Sequence, residues 1–202
     1  MDCKKKVVLV GDAGTGKTSL IQRFTRHSFN PSYSSTVGID FFSKSIYFSD
    51  RDSVQLLLWD TAGQEKFSAL VPSYLRDCSA AIIVFDVTDR KSYDNALSKW
   101  LTSVQDEQND DILVVLVGNK VDLSTQRVIS TSELSSKASS LEIPYFECSA
   151  RIGLNVKDLF QNVALLLSKP GKSASNDAEE EVVKDTLLTV DLNQTPTKSC
   201  SC

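Results

Sequence analysis

An apolar strand followed by a glycine-rich loop is the feature that most constrains the fold of this 202-residue chain. Val7–Val10 is a short apolar run, and Gly11–Thr18 reads G-D-A-G-T-G-K-T, which matches the pattern G-x-x-x-x-G-K-[ST]. A helical pattern begins directly afterwards, at Ser19–Phe24. A strand, a glycine loop and a helix in this order predict backbone N–H groups that bind phosphate oxygens, assisted by the positive end of the helix.

Each part of this loop has a predicted role at the phosphates. Lys17 would supply positive charge to the β- and γ-phosphates, and the Thr18 hydroxyl would ligate Mg²⁺. By itself the motif predicts only a nucleoside triphosphate, because kinases, ATPases and GTPases all use it. The candidate phosphate-binding residues are Gly11, Asp12, Ala13, Gly14, Thr15, Gly16, Lys17, Thr18 and Ser19.

Strand-like and helical patterns alternate along the rest of the chain, which predicts an α/β fold with ligands at the carboxyl ends of the strands. The first two strand runs flank a polar turn at 50–53 and predict a hairpin, whereas the later β-branched runs are typical of buried parallel strands. The strand runs are Phe41–Phe48, Val54–Trp59, Ala80–Asp86, Ile112–Gly118 and Tyr145–Cys148; the helical stretches lie around Tyr93–Val104, Thr131–Ser140 and Asn155–Leu167.

Two short motifs predict that the base is guanine. Asp122, in Asn119-Lys120-Val121-Asp122, can accept hydrogen bonds from both guanine donors, and a site built on such polarity rejects the wrong base by about 10⁴–10⁵. Asn119 would connect this loop to the phosphate loop, and the Lys120 stem would lie over the base. Cys148-Ser149-Ala150 would give a backbone N–H to the guanine oxygen. Either motif alone fits a surface loop equally well.

Further residues are candidates for the metal and for hydrolysis. Asp60 follows the strand run 54–59 and would hold Mg²⁺ through water, while Thr36 would add a second hydroxyl from a loop over the nucleotide. Gly63 would donate its N–H to the γ-phosphate, and Gln64 would orient the attacking water. The predicted magnesium residues are thus Thr18, Thr36 and Asp60, and the predicted catalytic residues are Gln64 and Lys17.

Composition excludes several other classes of protein. A net charge of −4 argues against nucleic acid as a partner, and a single histidine, His27, excludes a mechanism that needs two. The longest apolar runs are too short to span a bilayer, and no apolar signal segment follows the first charges, so we expect a cytosolic chain. Cys78 and Cys148 are interpreted as small core residues.

A change of composition at 169–171 predicts two parts, a folded domain over 1–168 and a flexible tail over 169–202. The tail has no aromatic residues, and it contains four lysines and six acidic residues. Two cysteines, Cys200 and Cys202, stand at its extreme C-terminus.

The motifs GDAGTGKT, Thr36, DTAGQ, NKVD and CSA resemble those of the Ras superfamily in order and spacing, over roughly residues 4–168. Several segments are similar to the Rab branch: Ile39-Asp40-Phe41-Phe42, WDTAGQEKF at 59–67, Tyr74-Leu75-Arg76, IIVFDVTD at 82–89 and Lys99-Trp100-Leu101. Within that branch, VGIDFFSKSIYF at 37–48, LVPSYLRDCSA at 70–80 and the ending Cys-Ser-Cys are most similar to the Golgi-acting Rab six subgroup.

The resemblance implies a P-loop NTPase fold, with a six-stranded, mostly parallel sheet flanked by five helices. It implies that Phe29 stacks against guanine. Arg151 replaces the lysine that is usual after Ser-Ala in the family, and its stem can cover the base equally well. It also implies an effector surface made of Val37, Gly38, Ile39, Asp40, Phe41, Phe42, Trp59, Phe67 and Tyr74.

By the same resemblance the chain is a monomeric GTPase switch in vesicle traffic that binds GTP, GDP and Mg²⁺. Its partners would be an exchange factor, a GTPase-activating protein, a dissociation inhibitor, a prenylation escort and trafficking effectors. Two geranylgeranyl groups on Cys200 and Cys202 would attach it to the cytoplasmic face of an internal membrane, the Golgi, from which it cycles with the cytosol.

Ala13 departs from the family pattern, since Ras proteins carry glycine and many Rabs carry serine at this position, and its methyl group would crowd the γ-phosphate. Three alternatives to this switch remain: a GTP-loaded adaptor with little hydrolysis, a Rab acting on another compartment, and a small-molecule kinase.

Overall fold

A six-stranded sheet forms the centre of the fold in the computed structural model, which describes residues 3–32, 36, 38–49, 52–62, 71–106 and 112–168. The order across the sheet is β2-β3-β1-β4-β5-β6, and only β2, paired with β3, is antiparallel to its neighbour. This confirms the predicted sheet and the predicted hairpin. The strands are β1 Cys3–Val10, β2 Ile39–Tyr47, β3 Ser53–Thr61, β4 Ala80–Asp86, β5 Leu113–Asn119 and β6 Tyr145–Glu147.

Five helices flank the sheet in the described part of the chain, as predicted. The third is composite: two α-helical segments, Arg90–Asn95 and Leu101–Gln105, are joined by a π-helical turn at Ala96–Trp100. We call this whole helix α3. The other helices are α1 Lys17–Arg26, α2 Val71–Leu75, α4 Thr131–Leu141 and α5 Val156–Ser168, and a 3₁₀ turn covers Ser124–Gln126.

Two apolar layers hold these helices on opposite faces of the sheet, because successive residues of a strand point to opposite sides. Val7 of β1 packs with α1 and α5, whereas Val8 packs with α3 and α4. In the first layer the rings of Phe24 and Phe160 stack with centroids 4.3 Å apart. Cys148 is buried in the first layer and Cys78 in the second, which confirms both as core residues.

The parallel strands bring the predicted site together at one edge of the sheet. Leu9 near the end of β1 is in register with Asp60 of β3, and Asp86 at the end of β4 is in register with Asn119 of β5. Since parallel strands end on the same side, the loops that follow β1, β3, β5 and β6 converge there.

Some predicted residues lie outside the described part of the chain. They are Val37, Gly63, Gln64, Phe67, Cys200, Cys202 and the rest of the predicted tail. Within the described ranges, no helix is long and apolar enough to cross a bilayer.

Candidate nucleotide site

A cleft of about 470 Å³ lies at the carboxyl edge of the sheet. Many residues predicted from the sequence line it: Ala13, Gly14, Gly16, Lys17, Thr18, Ser19, Phe29, Thr36, Asn119, Lys120, Asp122, Ala150 and Arg151. Residues that were not predicted as site residues also line it, namely Gln22, Asn30, Pro31, Ser32, Thr61 and Leu123.

The first turn of α1 faces the phosphate half of the cleft. Gly16, the residue before the helix, has φ +96°, and no side chain caps the helix there. A Cβ added to Gly16 would lie 2.3 Å from Nδ2 of Asn119, so a side chain has no room. The first turn also lacks acidic residues. The unpaired N–H groups and the positive helix end are therefore suited to an anion.

Lys17 is a buried cation held inside the phosphate loop. Its Nζ donates to the backbone oxygens of Gly11 and Asp12, each at 2.8 Å. Burial lowers the pKa of Lys17 to about 8, although the charges of Asp60 and Asp12 oppose this shift. Phosphate oxygens in the cleft would add negative charge beside the ammonium group and favour its charged form.

Three predicted magnesium residues meet beside Lys17. The Thr18 hydroxyl donates to Asp60 Oδ2 at 2.6 Å and lies 2.8 Å from the Thr36 hydroxyl. Asp60 is buried, and its Oδ1 has no hydrogen-bond partner among the described residues.

Burial also raises the pKa of Asp60 to about 6, opposed by the Thr18 hydrogen bond and the charge of Lys17. A buried carboxylate oxygen without a partner is costly, and a hard cation with oxygen ligands would satisfy it. The residues therefore fit Mg²⁺, which when bound would neutralise charge on the phosphate oxygens.

Asn119 joins the two halves of the cleft. Its side chain is 1% exposed; Nδ2 donates to the Thr15 oxygen at 2.8 Å, and Oδ1 accepts from the Ala150 N–H at 3.2 Å. One amide thus fixes the phosphate loop and the base loop Ser149–Arg151 relative to each other. The sequence predicted only the first of these two connections.

Asp122 presents a carboxylate at the base end of the cleft. Ser149 Oγ donates to its Oδ1 at 2.6 Å, and Arg151 Nη1 lies 3.9 Å from its Oδ2. The serine hydroxyl holds the carboxylate in one orientation, which suits recognition of the paired N–H donors of guanine.

Lys120 adopts a left-handed backbone conformation, with φ +69°, and its Nζ pairs with Asp86 Oδ2 at 2.6 Å. The predicted stem of Lys120 lines the cleft, while its charged end is anchored at β4. Asp86 was not among the predicted site residues. Its position at the end of a buried strand, adjacent in the sheet to the Asn119 strand, is the signal that could have indicated it.

Asp12 is the predicted loop residue whose side chain turns away from the cleft. Its Oδ1 accepts from Trp100 Nε1 at 2.8 Å, and its Oδ2 accepts from Asn95 Nδ2 at 2.6 Å. Both donors lie on α3, and Trp100 ends its π turn. π turns often occur where a helix must present a side chain for function. The Asp12 carboxylate thus fastens the phosphate loop to α3.

The cleft offers anion-binding N–H groups at one end and a carboxylate suited to guanine at the other, and an amide joins the two. These features, on a sheet with the phosphate loop after β1, define a P-loop guanine-nucleotide-binding protein. The sequence model of the Ras family matches residues 6–169, and the chain belongs to that family. It is accordingly a small GTPase, a switch that binds GTP, GDP and Mg²⁺.

Proposed function

We propose that this GTPase is a Rab-type regulator of vesicle traffic that acts at the cytoplasmic face of an internal membrane, the Golgi. The observation that carries the proposal is a group of three aromatic residues on β2, β3 and α2: Phe41, Trp59 and Tyr74. We call this group the aromatic cluster. Large aromatic side chains at a surface are typical of protein-binding sites.

The aromatic cluster has one exposed member, Phe41, because Trp59 and Tyr74 are partly buried against the second apolar layer. Phe41 is 60% exposed, and its ring meets Trp59 edge-on with centroids 4.6 Å apart. Tyr74 lies on the other side of Trp59, at 6.5 Å between centroids. Lys6 Nζ lies 4.0 Å from the Trp59 ring, so a cation adjoins the aromatic surface. Such a surface suits a partner with an apolar face and acidic residues at its edge.

The aromatic cluster is also placed to respond to the nucleotide. Phe41 follows Thr36 by five positions, and Trp59 directly precedes Asp60. Thr36 and Asp60 both contact Thr18 beside the phosphate loop. In the proposed switch, the γ-phosphate orders these segments through Thr36 and Gly63, and Gln64 orients the attacking water. Partners that bind only the ordered form would read the GTP state.

Ala13 favours one alternative, a GTP-loaded adaptor with little hydrolysis. It lines the phosphate end of the cleft, where its methyl group would meet the γ-phosphate. Single-turnover hydrolysis of GTP and ATP, with and without a Rab-activating protein, distinguishes the two functions. Hydrolysis of GTP that the activating protein accelerates supports the switch. No acceleration supports the adaptor.

We predict that Phe41→Ala abolishes traffic activity without impairing the nucleotide site. Truncation of an exposed aromatic anchor costs about 2 kcal/mol or more of partner binding, roughly 30-fold in affinity. The measurement is rescue of secretory cargo transport in cells depleted of the protein, together with GTP affinity in vitro. Tyr47→Ala is the matched control, because Tyr47 lies on the same strand and is 74% exposed. Normal rescue by Phe41→Ala would contradict the proposed role of the cluster.

Membrane attachment through Cys200 and Cys202 gives a second prediction. The segment 169–202 is acidic overall and offers no basic patch, and a single lipid chain gives only marginal membrane binding. Cys200→Ser or Cys202→Ser alone should therefore make the protein largely soluble, and the double substitution wholly so. Cell fractionation measures this, with Cys3→Ser as the control. A double variant that pellets with membranes like the parent would show that attachment has another cause.

A further inference from the structure

The side chain of Arg23, on the second turn of α1, connects three segments around the base end of the cleft. Its Nε donates to the Ala150 oxygen at 2.8 Å, and its Nη2 donates to the Arg151 oxygen at 2.5 Å. Its Nη1 donates to the His27 oxygen at 3.2 Å. Among the described residues Arg23 makes no salt bridge, and its hydrogen bonds all go to backbone carbonyls. Hydrogen bonds from a charged donor are stronger than those between neutral groups.

The base loop is consequently held from two sides. The Ala150 N–H donates to Asn119 Oδ1 inside the cleft, and the Ala150 oxygen accepts from Arg23 outside it. Ala150 and Arg151 both line the cleft, whereas Arg23 does not. The hydrogen bonds of Arg23 therefore determine where the base loop lies without contact between Arg23 and the nucleotide.

Arg23 also lies beside the aromatic residue at the base. Its guanidinium carbon is 5.9 Å from the centroid of the Phe29 ring, which lines the cleft. His27, whose oxygen accepts from Arg23, has φ +55° and ends α1 two residues before Phe29. One guanidinium group thus fixes both the base loop and the turn that leads to Phe29.

We propose that Arg23 is a positioning residue that keeps the base end of the cleft closed and so sets the lifetime of bound guanine nucleotide. The proposal rests on guanine-nucleotide binding in this cleft and is independent of the proposed role in vesicle traffic. Release of the nucleotide requires the base loop and Phe29 to separate from α1, and the hydrogen bonds of Arg23 oppose that separation.

The fold of α1 does not depend on Arg23, so its effect on the nucleotide can be measured separately. Leu20, Ile21 and Phe24 are buried in the core and anchor the helix, while Arg23 is only partly buried. Arg23→Met keeps an unbranched stem of about the length of the aliphatic part of arginine and removes all the donors. Arg23→Lys keeps the charge but loses the planar fork that reaches two carbonyls at once.

The test measures release of fluorescent GDP and GTP analogues from each variant in the presence of excess unlabelled nucleotide. Arg23→Met is expected to speed release of both nucleotides at least about tenfold, because the loss of even one of its charge-assisted hydrogen bonds implies an effect of that size. Arg23→Lys should release them at an intermediate rate. GTP hydrolysis within the preloaded complex should stay within about twofold of the parent, because Arg23 does not face the phosphates.

Arg26→Met is the matched control. Arg26 lies on the same helix and is exposed. Its guanidinium carbon is 5.4 Å from the ring of Phe42 on β2. Its removal should leave the release rates unchanged. Thermal unfolding with saturating GDP identifies any variant that fails to fold, and Arg23→Lys then carries the test.

Parent-like release from both Arg23 variants would overturn the proposal and leave GTP binding intact. A parallel loss of hydrolysis in the preloaded complex would also overturn it, because Arg23 would then act on the chemistry. A parent protein that does not retain GDP would instead contradict guanine-nucleotide binding itself, and the proposal would fail with it.

Discussion

Asp122→Asn is expected to weaken GTP binding by about 10⁴-fold and to improve the binding of xanthosine triphosphate. The carboxylate would accept hydrogen bonds from two donors of guanine, and an amide would place an N–H group opposite one of them. The side chain of Asp122 is only 12% exposed, so water cannot replace the lost hydrogen bond at low cost. Xanthine carries an oxygen where guanine carries an amine, and that oxygen can accept from the new amide.

Competition titrations with GTP, xanthosine triphosphate and ATP measure this change directly. Asp158→Asn is a suitable control. It is the same chemical substitution, but Asp158 is exposed on α5 and does not line the cleft. An Asp122→Asn variant with the GTP affinity of the parent would show that Asp122 does not read the base.

Thr18→Asn is expected to lose Mg²⁺-dependent GTP binding and to leave a protein that favours GDP. The hydroxyl of Thr18 contacts both Asp60 and Thr36, so this one side chain joins the three predicted magnesium residues. Loss of a metal ligand should cost at least the 10–100-fold in metal affinity that is typical of outer-shell changes. GTP should suffer more than GDP, because its γ-phosphate depends on the cation for charge neutralisation.

Titrations of GTP and GDP with Mg²⁺ and with a chelator measure the effect. The same substitution at Thr25 on the same helix is the control, because the Thr25 hydroxyl donates to the Ile21 oxygen at 2.7 Å and does not line the cleft. Equal Mg²⁺ dependence in Thr18→Asn and the parent would remove Thr18 from the metal site.

The fold could be predicted from local sequence patterns because most strands appear in the sequence as a clear run of apolar residues. The run Ala80–Asp86 is buried along its whole length, as its continuous apolar character predicted. Boundaries were less accurate. The first strand begins at Cys3 and not at Val7, because Cys3–Lys6 pair with 54–57 of β3 although they are polar. Ladder hydrogen bonds extend a strand beyond its apolar residues, and no apolar pattern records this.

The parts of the site that follow from motifs were predictable, and those that follow from packing were not. Asn119 and Asp122 lie three positions apart in a recognisable motif, and both line the cleft. The partners of Asp12, in contrast, are 83 and 88 residues away on α3. Arg23 meets backbone carbonyls 127 and 128 residues away, and a carbonyl has no sequence signature. Contacts of this kind are established only when the sheet is assembled.

The Asp12–Trp100 hydrogen bond has a practical consequence for following the switch by intrinsic tryptophan fluorescence. The chain contains two tryptophans, and the emission of an indole depends on the polarity and hydrogen bonding around it. Trp100 touches the phosphate loop, whereas Trp59 belongs to the aromatic cluster. Each therefore acts as an intrinsic fluorophore for a different region, one for occupancy of the loop and one for contact with a partner. A Trp59→Phe background isolates the emission of Trp100, so that nucleotide exchange can be followed without any label.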